Sequence, residues 1–149
     1  MTPTEMQEKA MQVFGQGMQR SQAVLAVGQE KLGIEDENLI KAMDSFGGGL
    51  AAHGEVCGAV IGGLAVIGLN FGRPKSGNEA DMRMWKYSSL FMKRFKEEVT
   101  DGKLLCRDIA GVNWRDRDQV TKYHEGEKFR SCQVLAGKTA KIIGELLER

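Results

Sequence analysis

Apolar positions in this chain recur at helical spacing almost from its first residue. Met6, Ala10, Val13 and Phe14 share one face, behind a start signal of Thr2, Pro3 and Glu5. Threonine as N-cap, proline at the first helical position and a glutamate able to close a capping box predict a helix running to about Gly15. Ala23, Val24, Val27 and Lys31 mark the turns of a second helix, about Arg20 to Leu32, with Gly33 as its C-terminal cap. Asp36 starts a shorter third helix carrying Leu39, Ile40, Met43 and Phe46, and Gly47, Gly48 and Gly49 end it. A fourth is predicted over about Glu55 to Leu69. A fifth, capped by Asn78, carries a broad apolar stripe that includes Met82, Trp85, Leu90, Phe91, Phe95 and Val99, and stops at Asp101 and Gly102.

Leu104 to Val112 is short, apolar and irregular, and Trp114 to Asp118 reads as a polar turn or a helix start. The last helix begins near Gly126 and places Cys132, Leu135, Ala136, Thr139, Ala140, Ile143 and Leu146 on one side. No segment alternates as a strand does, and no internal repeat is present. The expected fold is all-α: one domain over 1–149, a compact bundle of five or six helices around a buried glycine-rich helix.

Composition narrows the partners. Apolar residues make up 42% and charged residues 28%, the balance of a globular chain. Lys plus Arg number 21 against 20 Asp plus Glu, so charge gives no reason to expect nucleic acid or an anionic membrane. The longest uncharged run, Val56 to Phe71, is broken by glycines and Asn70, and reads as a buried helix and not a membrane span. The first residues lack a basic stretch followed by an apolar one, so a soluble, cytoplasmic protein is expected. Three cysteines are not a disulfide framework; an odd count suits a reactive thiol, a metal site or inert core residues.

The candidate chemistry sits where FGGGLAAHGEVCGAVIGG leads into the fourth helix. That order puts Cys57 in the first helical turn, where the positive end of the helix favours thiolate over thiol, and the thiolate is both nucleophile and metal ligand. Glycines at 58, 62 and 63 with Ala59 and Ala65 leave one flank of the helix almost bare, which requires a close neighbour. Cys106 stands beside Arg107, which would help to hold a thiolate, and Cys132 lies on an apolar face. His53, four residues before Cys57, and His124, eight before Cys132, could complete a zinc site of three sulfurs and one nitrogen, or could be surface residues. Glu55 could accept the Cys57 proton or lie in solvent. Gly47 to Gly49 lack the GK[ST] of a phosphate loop and follow a helix, so they read as turn residues.

Taken in order, SQAVL at 21–25, FGGGLAAHGE at 46–55, CGAVIG at 57–62, LLCRDIAG at 104–111 and SCQVLAGKTAKIIGELL at 131–147 resemble the redox-active protein family described as C_GCAxxG_C_C. The domain is also similar to the non-haem part of split-Soret cytochromes, although no CxxCH for haem attachment is present. The resemblance implies a compact helical domain with four cysteines that do redox or metal chemistry. Three carry over, at Cys57, Cys106 and Cys132. The place of the family's first cysteine is taken by Arg20, with Ser21 as the nearest alternative, and Arg20 either pairs with a thiolate or faces solvent. The functional expectation is therefore thiol/disulfide or metal-based electron transfer centred on Cys57, Cys106 and Cys132. In the thiol form Cys57 attacks and Cys106 or Cys132 resolves. In the metal form the three cysteines bind an iron-sulfur cluster, or, with His53, zinc. A partner redox protein and a homodimer are expected. The alternatives are a non-enzymatic helical binding or assembly module with vestigial cysteines and a zinc-stabilised structural domain.

Overall fold

The computed structural model describes residues 1–149 and contains eight α-helices and no strand. They are α1 (Pro3–Gly15), α2 (Arg20–Leu32), α3 (Glu37–Ala42), α4 (Gly58–Phe71), α5 (Met82–Arg94), α6 (Cys106–Ile109), α7 (Arg117–Glu125) and α8 (Glu127–Leu147). A 3₁₀ turn at Asp44–Phe46 follows α3, and α5 runs on into a π-helical turn at Phe95–Val99. The count exceeds the expected five or six because α6 is a single turn and α7 only 9 residues long, too short to display an apolar period of their own. No helix is long and apolar enough to cross a membrane.

The first two helices begin and end where their caps predict. The Thr2 hydroxyl accepts from the Glu5 N–H and the Glu5 carboxylate accepts from the Thr2 N–H, closing the capping box. Gly33 ends α2 in the left-handed conformation, at φ 72°. Two starts differ from expectation. Asp81, not Asn78, caps α5, its carboxylate accepting from the Arg83 N–H at 2.9 Å. The fourth helix starts at Gly58, because Glu55 to Cys57 are extended and tied to a distant segment. The Cys57 N–H donates to Leu104 O at 2.9 Å and the Cys106 N–H donates to Glu55 O at 2.6 Å. Cys57 is thus the N-cap of α4 and not a residue of its first turn.

The bundle body is α1 packed along α8, with α2 against both and against α4; α5 closes the other side of α4 and α8. The glycine-rich α4 lies within the core on one face, yet Leu64, Ala65, Gly68 and Leu69 are half-buried and Asn70 is exposed. The more enclosed helix is α2, buried continuously from Arg20 to Leu25 and again at Val27, Gly28 and Gln29. Close approach of the two is set by Gly62: a Cβ there would lie 2.5 Å from Ser21 O, inside the backbone of α2. That contact holds the first turn of α2, and with it Arg20, against the cysteine-bearing elements.

Candidate functional site

Arg20 is the first residue of α2 and retains only 5% of its surface. One terminal guanidinium nitrogen donates to Cys132 Sγ at 3.2 Å and the other to Cys106 Sγ at 3.2 Å. No carboxylate reaches it: every ion pair of the chain lies elsewhere. Its neighbour Ser21, also fully buried, turns away and donates to Met43 O at 2.9 Å. Of the two residues that could stand in the family cysteine's place, Arg20 is the one that faces the sulfurs.

Two aromatic side chains complete the shell. The Trp114 indole N–H donates to Cys106 Sγ at 3.3 Å, and the buried Tyr123 phenol lies near Cys132. Burial raises the Tyr123 phenol well above its ordinary range, and the neighbouring Cys132 adds to the rise. Trp114 and Tyr123 escape the sequence reading. The signal that could have found them is two aromatic residues with polar tips placed between Cys106 and Cys132, since such tips need a partner once buried.

Charge decides the character of the cluster. Burial works against the Arg20 cation, but the sulfurs of Cys57, Cys132 and Cys106 and the Tyr123 hydroxyl outweigh it, and the guanidinium is held above its already high value. Arginine keeps its proton in proteins. A buried cation of this kind needs a compensating anion, and the groups around it that can supply one are thiols and a phenol.

Cys57 corrects one expectation. It is fully buried, and burial pushes its thiol up; Arg20 and the Ala59 N–H pull it down but are outweighed. The helix end acts in the expected direction and loses to desolvation. All three cysteines are free thiols. Cys106 and Cys132 share one small core cluster with Phe14, Ala110, Val112 and Tyr123, whereas Cys57 belongs to the main core.

The remaining candidates lie outside. His53 is exposed and bonds through Nδ1 to Ala51 O at 2.8 Å; His124 is exposed on α7. Arg107 does not reach Cys106. Its guanidinium donates to Gly54 O at 3.0 Å and to the Glu55 carboxylate at 3.1 Å, which also takes Glu55 away from Cys57. The side chains do not fit a metal group. No three His, Cys, Asp or Glu are arranged to hold an ion. The Arg20 guanidinium, which offers donors and no lone pair, turns one terminal nitrogen to each of Cys106 and Cys132, so both sulfurs that an iron-sulfur cluster or zinc would take as ligands face a cation instead.

The wall over Cys106 is unusual backbone. Gly48, Gly49, Leu50, Ala51 and Ala52 all have positive φ, from 50° to 72°, a turn of left-handed helix. Each non-glycine residue in it costs about 1–2 kcal/mol. Bonds from Ala52 N to Gly47 O, Gly54 N to Gly48 O and Glu55 N to Gly49 O, of 2.8–3.0 Å, hold it. Gly49 is required twice over, by its φ of 72° and because a Cβ there would lie 2.6 Å from Cys106 Cβ.

No curated protein and no solved structure matches this chain. Residues 18–146 match the family model described as "Putative redox-active protein (C_GCAxxG_C_C)". That span takes in Arg20, all three cysteines, Trp114 and Tyr123. On that match the chain belongs to the C_GCAxxG_C_C family.

Proposed function

We propose that this protein is a two-electron thiol redox protein whose reacting pair is Cys106 and Cys132, with Arg20 as the fixed counter-charge. The observation that carries the reading is the single buried guanidinium donating to both sulfurs at 3.2 Å. Thiolate is the nucleophile, and an adjacent arginine is one of the environments that favours it.

Both cysteines are buried, at 2% for Cys132 and 0% for Cys106, and Cys132 is the one beside a surface hollow, of about 430 Å³, whose other residues include Lys103, Arg130 and Lys138; Cys132 is therefore assigned the first attack. The oxidant is a small disulfide. The Cys132 thiolate attacks one of its sulfurs, forming a mixed disulfide and expelling the first thiolate. Cys106 then attacks the protein-bound sulfur, forming Cys106–Cys132 and expelling the second. Two electrons leave the protein pair, and the Cys106 proton passes to a departing thiolate. Arg20 and the Trp114 N–H both donate to the Cys106 sulfur, and burial favours the neutral thiol at Cys57. The reverse sequence, with a partner dithiol, restores the reduced form.

The test is a thiol count on oxidation with 2-hydroxyethyl disulfide, followed by peptide mapping. Loss of two of the three thiols with a Cys106–Cys132 linked peptide is expected. Three free thiols after prolonged oxidation, or a linkage through Cys57, would overturn the assignment.

A further inference from the structure

Arg20 has more donors than the sulfurs use. A guanidinium carries five N–H groups. The sulfurs take one on each terminal nitrogen, and Nε makes no hydrogen bond. Yet no fully enclosed side-chain nitrogen in the chain lacks a partner. The Nε edge is therefore not sealed in protein, and Arg20 lines a cavity of about 420 Å³.

The walls of that cavity are aromatic. Phe14, Trp114, Tyr123 and Phe129 line it, with Trp114 set edge-on to Tyr123 at 4.7 Å and Phe14 tilted on Phe129 at 4.9 Å between ring centroids. His124 and Asp44 sit at its exposed rim. A mostly apolar hollow of a few hundred Å³ with a few converging polar groups has the form of a small-molecule site. Aromatic walls select a flat apolar body. A guanidinium edge selects a carboxylate, which it binds through two parallel N–H···O bonds. The Asp44 carboxylate at the rim, bonded to the Gln19 amide at 3.4 Å, disfavours a second negative charge.

We propose that this cavity binds a flat aromatic monocarboxylate, its carboxylate on the Nε edge of Arg20 and its ring among Trp114, Tyr123 and Phe129. Binding needs no reaction at the sulfurs, so this site stands or falls apart from the redox assignment. It does share Arg20 with them, and its wall includes Trp114, whose indole N–H donates to Cys106.

The chain has two tryptophans, and Trp85 is 62% exposed. In ¹⁵N-labelled Trp85→Phe protein the only indole N–H resonance is that of Trp114, and it reports the cavity directly. Titration with 2-naphthoate is expected to move that resonance to saturation, and 2-naphthamide, which keeps the ring and lacks the charge, to bind at least about tenfold more weakly. Ser45→Phe, which adds a ring at an exposed lining position of the cavity, is expected to abolish the response. Equal affinity for the acid and the amide, undiminished binding in Ser45→Phe, or no saturable shift with naphthoate would each overturn the proposal.

Discussion

Replacing Arg20 by methionine tests the charge argument directly. Methionine fills an irregular core gap with a flexible chain, and it brings neither charge nor N–H. The reduced site loses both N–H···S bonds, each 3.2 Å long. A hydrogen bond to a charged partner is worth about 1.5–3 kcal/mol. The disulfide form has no anionic sulfur, so that stabilisation belongs to the reduced state alone. A dithiol whose reduced form is stabilised is the more oxidising couple. Removing Arg20 therefore makes the couple more reducing. At 30 mV per 1.4 kcal/mol, one charged bond corresponds to about 30–60 mV. The assay equilibrates wild type and Arg20→Met in graded dithiothreitol buffers at pH 7, alkylates, and counts modified thiols by mass. Arg20→Lys keeps the charge but loses the fork, so it should fall between the two. A midpoint that stays put in Arg20→Met, or moves upward, refutes the reasoning.

Other perturbations have defined signs. Burial raises the Cys57 thiol, so the folded state holds its proton longer than the unfolded chain. The resulting stability is fully present below the unfolded thiol pKa, about 8.5, and is lost as pH rises through the folded value; Tm measured from pH 7.5 to 10 should fall, and less steeply in Cys57→Ala. Gly62→Ala drives a methyl against Ser21 O and should cost about 1–3 kcal/mol in urea unfolding. Gly68→Ala, on the same helix with nothing within 4 Å of its Cβ, should gain about 0.5–1 kcal/mol. Equal effects would mean that α2 and α4 do not touch there. Glu55→Gln breaks only the exposed pair with Arg107, 50% and 54% accessible. It should change stability by less than about 1 kcal/mol and leave the redox midpoint where it was, which separates Arg107 from Arg20 as the charge that matters.

The parts of the fold legible in the sequence are those held by neighbours along the chain. Thr2 with Glu5 and the left-handed Gly33 are local devices, and α1 and α2 begin and end where they say. The start of α4 misleads because Glu55 and Cys57 bond to Leu104 and Cys106, a pairing nothing local encodes. The same limit applies to the site. The three cysteines and the arginine at the missing cysteine's place are visible in sequence order. That the neighbouring Arg107 turns to Gly54 and Glu55 while the distant Arg20 crosses to the sulfurs is not. Nor is the sign at Cys57, since a helix end can be read from residue order but the depth of burial cannot.

The strain beside Cys106 and the charge beside it have one explanation. Leu50, Ala51 and Ala52 hold a left-handed conformation that costs each of them about 1–2 kcal/mol. What the left-handed course achieves is to bring Gly49 against Cys106 and Glu55 O within reach of the Cys106 N–H, fixing the sulfur from its backbone side. Arg20 and Trp114 fix it from the other. A sulfur that accepts from two donors beside a strained turn is well placed to receive charge. Such a sulfur suits a resolving thiol that waits for its partner to react, and Cys132, on one helix face beside a surface hollow, suits the thiol that meets the substrate first.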